Sequence, residues 1–114
     1  MMNARTISLL IAFAATVVSG GAAAAGDAVK GAEKAKAVCA ACHGDDGNGK
    51  SEFPDYPKLA GQHADYIAHA LKEYKTGKRK NAIMAPMAQP LSPKDIEDIA
   101  AYFSKQNGTL KVVR

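Results

Sequence analysis

The sequence predicts an all-α domain, and three observations carry that reading. Apolar residues recur at three- and four-residue spacing, as one face of a helix requires. No stretch alternates apolar and polar residues as a half-buried strand does. Turn-forming residues cluster between the helical stretches and leave two long loops. The chain has 114 residues, enough for one domain and too few for an enzyme of two ordinary domains.

Residues 1–25 stand apart from that domain. Arg5 supplies a positive start, Ile7–Val18 an apolar run broken only by small residues, and Gly20–Ala25 a small-residue stretch suited to cleavage after Ala24 or Ala25. The apolar run is about a dozen residues, short of the roughly 20 that cross a bilayer as a helix. The expectation is a cleaved export signal, a domain at 26–114, and no membrane span in the mature chain.

The first helix of that domain is expected from an Asp27 cap to about Ala41, rich in Ala and Lys and without Pro. Gly44-Asp45-Asp46-Gly47-Asn48-Gly49, Pro54 and Pro57 then make an irregular loop. A second helix is expected over Gln62–Thr76, where Tyr66, Ile67, Ala70, Leu71 and Tyr74 share a face and Gly77 stops it. Lys78–Leu91 reads as a loop carrying Pro86 and Pro90. The last helix opens at Ser92-Pro93-Lys94-Asp95, a cap, a first-turn proline and a capping carboxylate in order. Its stripe is Ile96, Ile99, Ala100 and Phe103, and Gly108 is expected to end it, with Asn107-Gly108-Thr109 read as that stop and not as a glycosylation sequon.

Composition limits the core. Of 54 apolar residues 17 lie in residues 1–25, and 15 of the remaining 37 are Ala, leaving 22 larger apolar side chains. A domain this small buries a modest share of its surface, so something besides side chains is expected to help fill it. The formal net charge is +4, falling to +3 without Arg5. That excess is too small to argue for a nucleic-acid partner.

Cys39-Ala40-Ala41-Cys42-His43 matches C-x-x-C-H, the attachment motif of a c-type haem. Two thiols three residues apart can each add to one of the two vinyl groups on a porphyrin edge, and the adjacent His then aims a nitrogen at the iron. Three other readings are weaker. A dithiol redox pair normally follows a strand, a zinc site needs a fuller ligand set, and a Cys39–Cys42 disulfide closes too short a loop to stabilise much. Gly44–Ser51 also fits the phosphate-loop pattern G-x-x-x-x-G-K-[ST]. No strand precedes it, Pro54 and Pro57 interrupt the helix that should follow, and Asp45 and Asp46 would repel phosphate. It reads as a turn, and without the terminal Glu it is no EF-hand loop either.

An iron held by His43 on one face needs a donor on the other. Met84, Met87, His63 and His69 are the candidates. A helix histidine is ordinarily just exposed, whereas a methionine loop well separated from His43 can close over the opposite haem face, so a methionine is favoured.

Taken together, Cys39–His43, Tyr56-Pro57-Lys58-Leu59-Ala60-Gly61-Gln62, Met84-Ala85-Pro86-Met87 and Leu91-Ser92 with Ile99–Phe103 resemble the class I c-type cytochromes. The likeness is to the small bacterial periplasmic members and to one half of the duplicated two-haem forms. The resemblance implies the cytochrome c fold, three main helices and long loops around one covalently bound haem c. It implies Met84, eight residues ahead of Ser92, as the second iron ligand, with Met87 as the alternative because Ala85 stands where the family commonly has Pro. It implies that a Pro carbonyl, Pro57 or else Pro54, accepts the N–H of His43. It also implies crossing first and last helices, pairing Ala32 or Ala35 with Tyr102 or Phe103.

The function expected on that basis is a soluble periplasmic one-electron carrier, monomeric or weakly dimeric, and not an enzyme. The alternatives are a haem enzyme or gas sensor with a displaceable sixth ligand, and a haem-free thiol–disulfide protein. Partners are expected to be redox proteins bound weakly. Lys75, Lys78, Arg79 and Lys80 form a basic cluster that could steer an acidic one.

Overall fold

The structure is a computed structural model and describes residues 12, 14 and 26–110. The export signal read at 1–25 lies outside the described residues, apart from 12 and 14. Among the described residues there are five helices and no strand: α1 (Ala28–Val38), α2 (Ala40–His43), α3 (Ala64–Thr76), α4 (Met84–Ala88) and α5 (Pro93–Ser104). The all-α class and the three long helices are as the periodicity requires.

Asp27 caps α1, its carboxylate accepting the N–H groups of Val29 at 2.9 Å and Lys30 at 3.2 Å. The helix does not run unbroken to Ala41 as the composition predicts. Cys39 turns to φ −109°, well off the helical value, and the following turn tightens with Cys42 N donating to Cys39 O at 3.2 Å. The C-x-x-C-H segment is therefore a separate short helix set at an angle chosen by Cys39.

Helix α3 begins at Ala64, with His63 at its cap, two residues later than the pattern implies, and Gly77 closes it. Helix α5 carries the full capping box: Ser92 Oγ accepts from Asp95 N at 3.0 Å, and the Asp95 carboxylate accepts from Ser92 N at 3.0 Å. It stops at Ser104 rather than near Gly108. There Lys105 N and Gln106 N donate to Tyr102 O and Phe103 O, three-residue steps that tighten the chain out of the helix.

Helices α1 and α3 both pack on α5, and α3 also packs on α4. Phe103, Leu91, Ile96 and Ile99 are the largest fully buried side chains, with Ala35, Ile67, Ala68 and Leu71 joining them. Ala35 and Phe103 share that core, as the expected crossing of the first and last helices requires. Gly31 brings the two helices together backbone to backbone: a Cβ there would lie 1.9 Å from Asp98 O and 3.0 Å from Tyr102 Cβ. Gly31 lies one residue before Ala32 and one turn before Ala35. Asp98 also secures the junction, its carboxylate accepting from Asp27 N at 2.7 Å and from the Lys94 ammonium. The Lys94 ammonium beside it holds the Asp98 carboxyl below the usual carboxylate range.

The Gly-rich segment after His43 is a strap over the far end of α5, not a phosphate loop. Gly47 O accepts from Leu59 N and Ala60 N, Tyr102 donates its hydroxyl to Asp45 O at 2.7 Å, and Asn48 Nδ2 donates to Asn107 O at 2.9 Å. The stretch 78–91 is a loop only in part. Helix α4 forms inside it with Pro86 at its third residue, where a missing N–H matters little.

Candidate functional site

The break at Cys39 and the short α2 present Cys39, Cys42 and His43 to one cavity of about 310 Å³. Pro57 and Tyr56 from the long loop, Leu71 from α3, and Met84 and Met87 from α4 line it as well. The volume falls in the range of small-molecule clefts, and the walls are largely apolar, as such clefts are. The four chemical groups singled out in the sequence thus share one space.

The His43 side chain is buried, with 7% exposure. Its Nδ1 lies 2.8 Å from Pro57 O. A carbonyl oxygen only accepts, so Nδ1 carries the proton and Nε2 keeps its lone pair. The carbonyl that meets the imidazole is that of Pro57 and not of Pro54. Tyr56 stands beside the imidazole, ring centroids 6.3 Å apart, and Phe53 stacks on Tyr56 at 5.2 Å and 12°.

Cys39 and Cys42 are both half-buried and not joined to each other. Burial, with the neighbouring Cys42 adding to it, pushes the Cys39 thiol up to about 11. Its thiolate, the form that attacks a disulfide, is therefore scarce at neutral pH.

Met84 and Met87 sit three residues apart on α4 and so face the same way. Met84 is half-buried and packs against the apolar core, whereas Met87 is 38% exposed. His63 and His69 do not reach this cavity. They line a separate surface depression with Asp65 and Tyr66, and His69 pairs with Glu73 one turn on.

The basic cluster is divided by the fold. The Lys75 ammonium donates to Leu91 O, and Gln89 Nε2 donates to Lys75 O at 2.7 Å, tying α3 to the end of α4. Arg79 lies over the rings of Tyr66 and Tyr74, 5.9 and 5.3 Å from their centroids, and donates to Tyr66 Oη at 3.3 Å. Lys78 and Lys80 remain exposed.

Asn81 is a cavity residue that sequence reasoning passed over. Its Oδ1 accepts from Ile83 N and from Met84 N, both at 2.9 Å. An Asn three residues ahead of a helix start is the signal that could have found it.

The residues present fit a covalently attached haem: two thiols on one wall, a buried imidazole with a fixed tautomer, a thioether, and an apolar lining. The comparisons agree with that geometry. The family model described as Cytochrome c matches residues 28–107. The chain is 47% identical to cytochrome c4 of Stutzerimonas stutzeri over 118 residues, covering 96% of this chain and 53% of that protein. It is 52% identical over 85 residues to cytochrome c-554(548) of Halomonas halodenitrificans, covering 72% of this chain and 99% of that one. Among solved structures, reduced recombinant cytochrome c4 from Pseudomonas stutzeri superposes with a TM-score of 0.68 at 47% identity, over 75% of this chain and 48% of that chain. The chain therefore spans about half the length of the cytochrome c4 relatives and nearly all of the shorter one. Since the family model covers every element from α1 to the end of α5, the chain belongs to the cytochrome c family.

Proposed function

We propose that this cytochrome c is a one-electron carrier whose haem is anchored by Cys39 and Cys42 and whose iron is held between His43 and Met84. The prosthetic group of the family is a haem c with its iron, and a single domain with one C-x-x-C-H takes one. When bound, it supplies a metal centre that changes oxidation state by one electron.

The observation that carries the reading is the convergence of Cys39, Cys42, His43 and Met84 on one cavity, with His43 Nδ1 already bonded to Pro57 O. Cys39 and Cys42 would hold the haem covalently, each thiol supplying the sulfur of one thioether link. Pro57 fixes the imidazole ring and raises its basicity toward the metal. Met84, a thioether, favours the ferrous state and so raises the potential. His43 and Met84 would both be taken up in holding the iron, which fits a carrier rather than an enzyme. Burial of His43 and the apolar lining keep the charge change away from water.

The visible spectrum of the matured ferric protein tests this. A far-red thioether-to-iron charge-transfer band is expected, and Met84→Ala should abolish it while Met87→Ala keeps it. Loss of the band in Met87→Ala alone would move the ligand to Met87. Absence of the band in the parent protein, with ready binding of external ligands, would replace the carrier reading with a haem enzyme or sensor.

We further read the protein as exported to the periplasm with residues 1–25 removed. In support, Arg5 precedes the apolar run Ile7–Val18 and the small residues Gly20–Ala25; no helix among the described residues is long and apolar enough to cross a membrane. The mass of the mature chain checks the cleavage site at Ala24 or Ala25. Its redox partners would dock weakly. Lys78 and Lys80, more than the engaged Lys75 and Arg79, are placed to steer an acidic one. Reversing Lys78 and Lys80 to Glu is expected to slow association severalfold at low salt, with the difference shrinking as ionic strength rises. An unchanged rate at low salt would rule out steering by these lysines.

A further inference from the structure

Helix α4 holds Met84 with very little backbone support. It has five residues, Pro86 among them donates no N–H, and Pro90 follows two residues after its end. The first turn is closed from outside instead. Asn81 Oδ1 accepts from both Ile83 N and Met84 N at 2.9 Å, and Asn81 O accepts from Ala85 N at 3.0 Å. One residue thus engages the N–H groups of three successive residues, with Met84 in the middle. Asn81 also lines the same cavity as Met84 and His43. At the other end, Gln89 Nε2 holds to Lys75 O, so the turn is pinned at both sides of the thioether.

We propose that Asn81 is a positioning residue, whose carboxamide oxygen clamps the Met84 backbone so that the thioether stays seated on the iron. This deepens the reading above and rests on Met84 being the ligand. A weak metal–thioether bond is kept closed by how little freedom the donor has when it lets go. Removing two hydrogen bonds from the turn gives the open state more conformations, so external ligands compete better.

The test uses the ferric holoprotein and imidazole, whose dissociation constant reads how firmly the sixth position is held. Asn81→Ala is expected to tighten imidazole binding about tenfold, the equivalent of one to two ordinary hydrogen bonds. Asn81→Asp keeps an acceptor oxygen in the same place and is expected to stay within about twofold of the parent. Asn81→Leu keeps the bulk without the acceptor and should reproduce the alanine result if the alanine variant does not mature. Asp27→Ala, which removes the α1 cap far from the turn, should leave imidazole affinity within about twofold. A similar gain in Asp27→Ala would mean general loosening and would overturn the proposal. So would unchanged imidazole affinity in Asn81→Ala when Met84→Ala has lost the far-red band, and in that case the ligand reading itself survives. If Met84→Ala keeps the band, the ligand reading fails and the role of Asn81 goes with it.

Discussion

Haem-free chain, made with both Cys39 and Cys42 changed to Ala, is expected to lose most of its helical signal in far-ultraviolet circular dichroism and to show no cooperative melt. The interior explains the size of the effect. Among the described residues, Phe103, Leu91, Ile96 and Ile99 are the largest fully buried side chains, and the cavity beside them measures about 310 Å³. Without the haem the apolar walls of that space lose the atoms they would pack against and are left to water. A domain this small has about 5–15 kcal/mol of stability in total. The three long helices would lose a shared surface, and none of them has 15 residues with which to persist alone. A cooperative melt with a native-like helical spectrum would show that the side chains suffice without the haem.

Gly31→Ala is the second change expected to be severe, lowering the stability of the holoprotein by about 3 kcal/mol or more. The new Cβ would stand 1.9 Å from Asp98 O and 2.5 Å from Asp98 C. Both are backbone atoms in the middle of α5, which cannot swing aside as the end of a side chain could. The helices would have to part where α1 enters the core, moving Ala35 away from Phe103. Gly77→Ala gives the contrast. Nothing lies within 4 Å of a Cβ there, and the cost comes only from φ +80°, about 1 kcal/mol. Denaturation midpoints of the two holoproteins measure both. Equal losses would mean that the α1–α5 crossing relaxes freely and that close approach is not what Gly31 provides.

The crossing at Gly31 also shows where sequence reading ran out. Ala35 meets Phe103 in the core as expected, while Gly31 adds a backbone-to-backbone contact with Asp98 that the alanines do not predict. Which small residue meets the partner depends on the rotation of α1 about its axis and on the crossing angle, and neither is written in α1 itself. The same holds for Lys75. In sequence it is one of four cations in six residues, but the fold puts Leu91 O within its reach and makes it a brace. Pro57 differs, because it was inferred from family resemblance and the loop brings its carbonyl 2.8 Å from His43 Nδ1. Asn81 was missed although its signal is local, because Pro86 and Pro90 made the whole 78–91 stretch look like loop.

Sequence alone determined the all-α class, the caps at Asp27 and Ser92, the stop at Gly77, the C-x-x-C-H motif and the two candidate methionines. Each of these depends on residues within about one or two turns of one another, where helix geometry and capping chemistry act directly. Tertiary structure decided the break at Cys39, the folding of α4, the Gly31 crossing, the engagement of Lys75 and Arg79, and the gathering of Cys39, Cys42, His43 and Met84 around one cavity. Those depend on contacts between residues far apart in the chain, such as Gly31 with Asp98 or Lys75 with Leu91, and these exist only once the helices have packed.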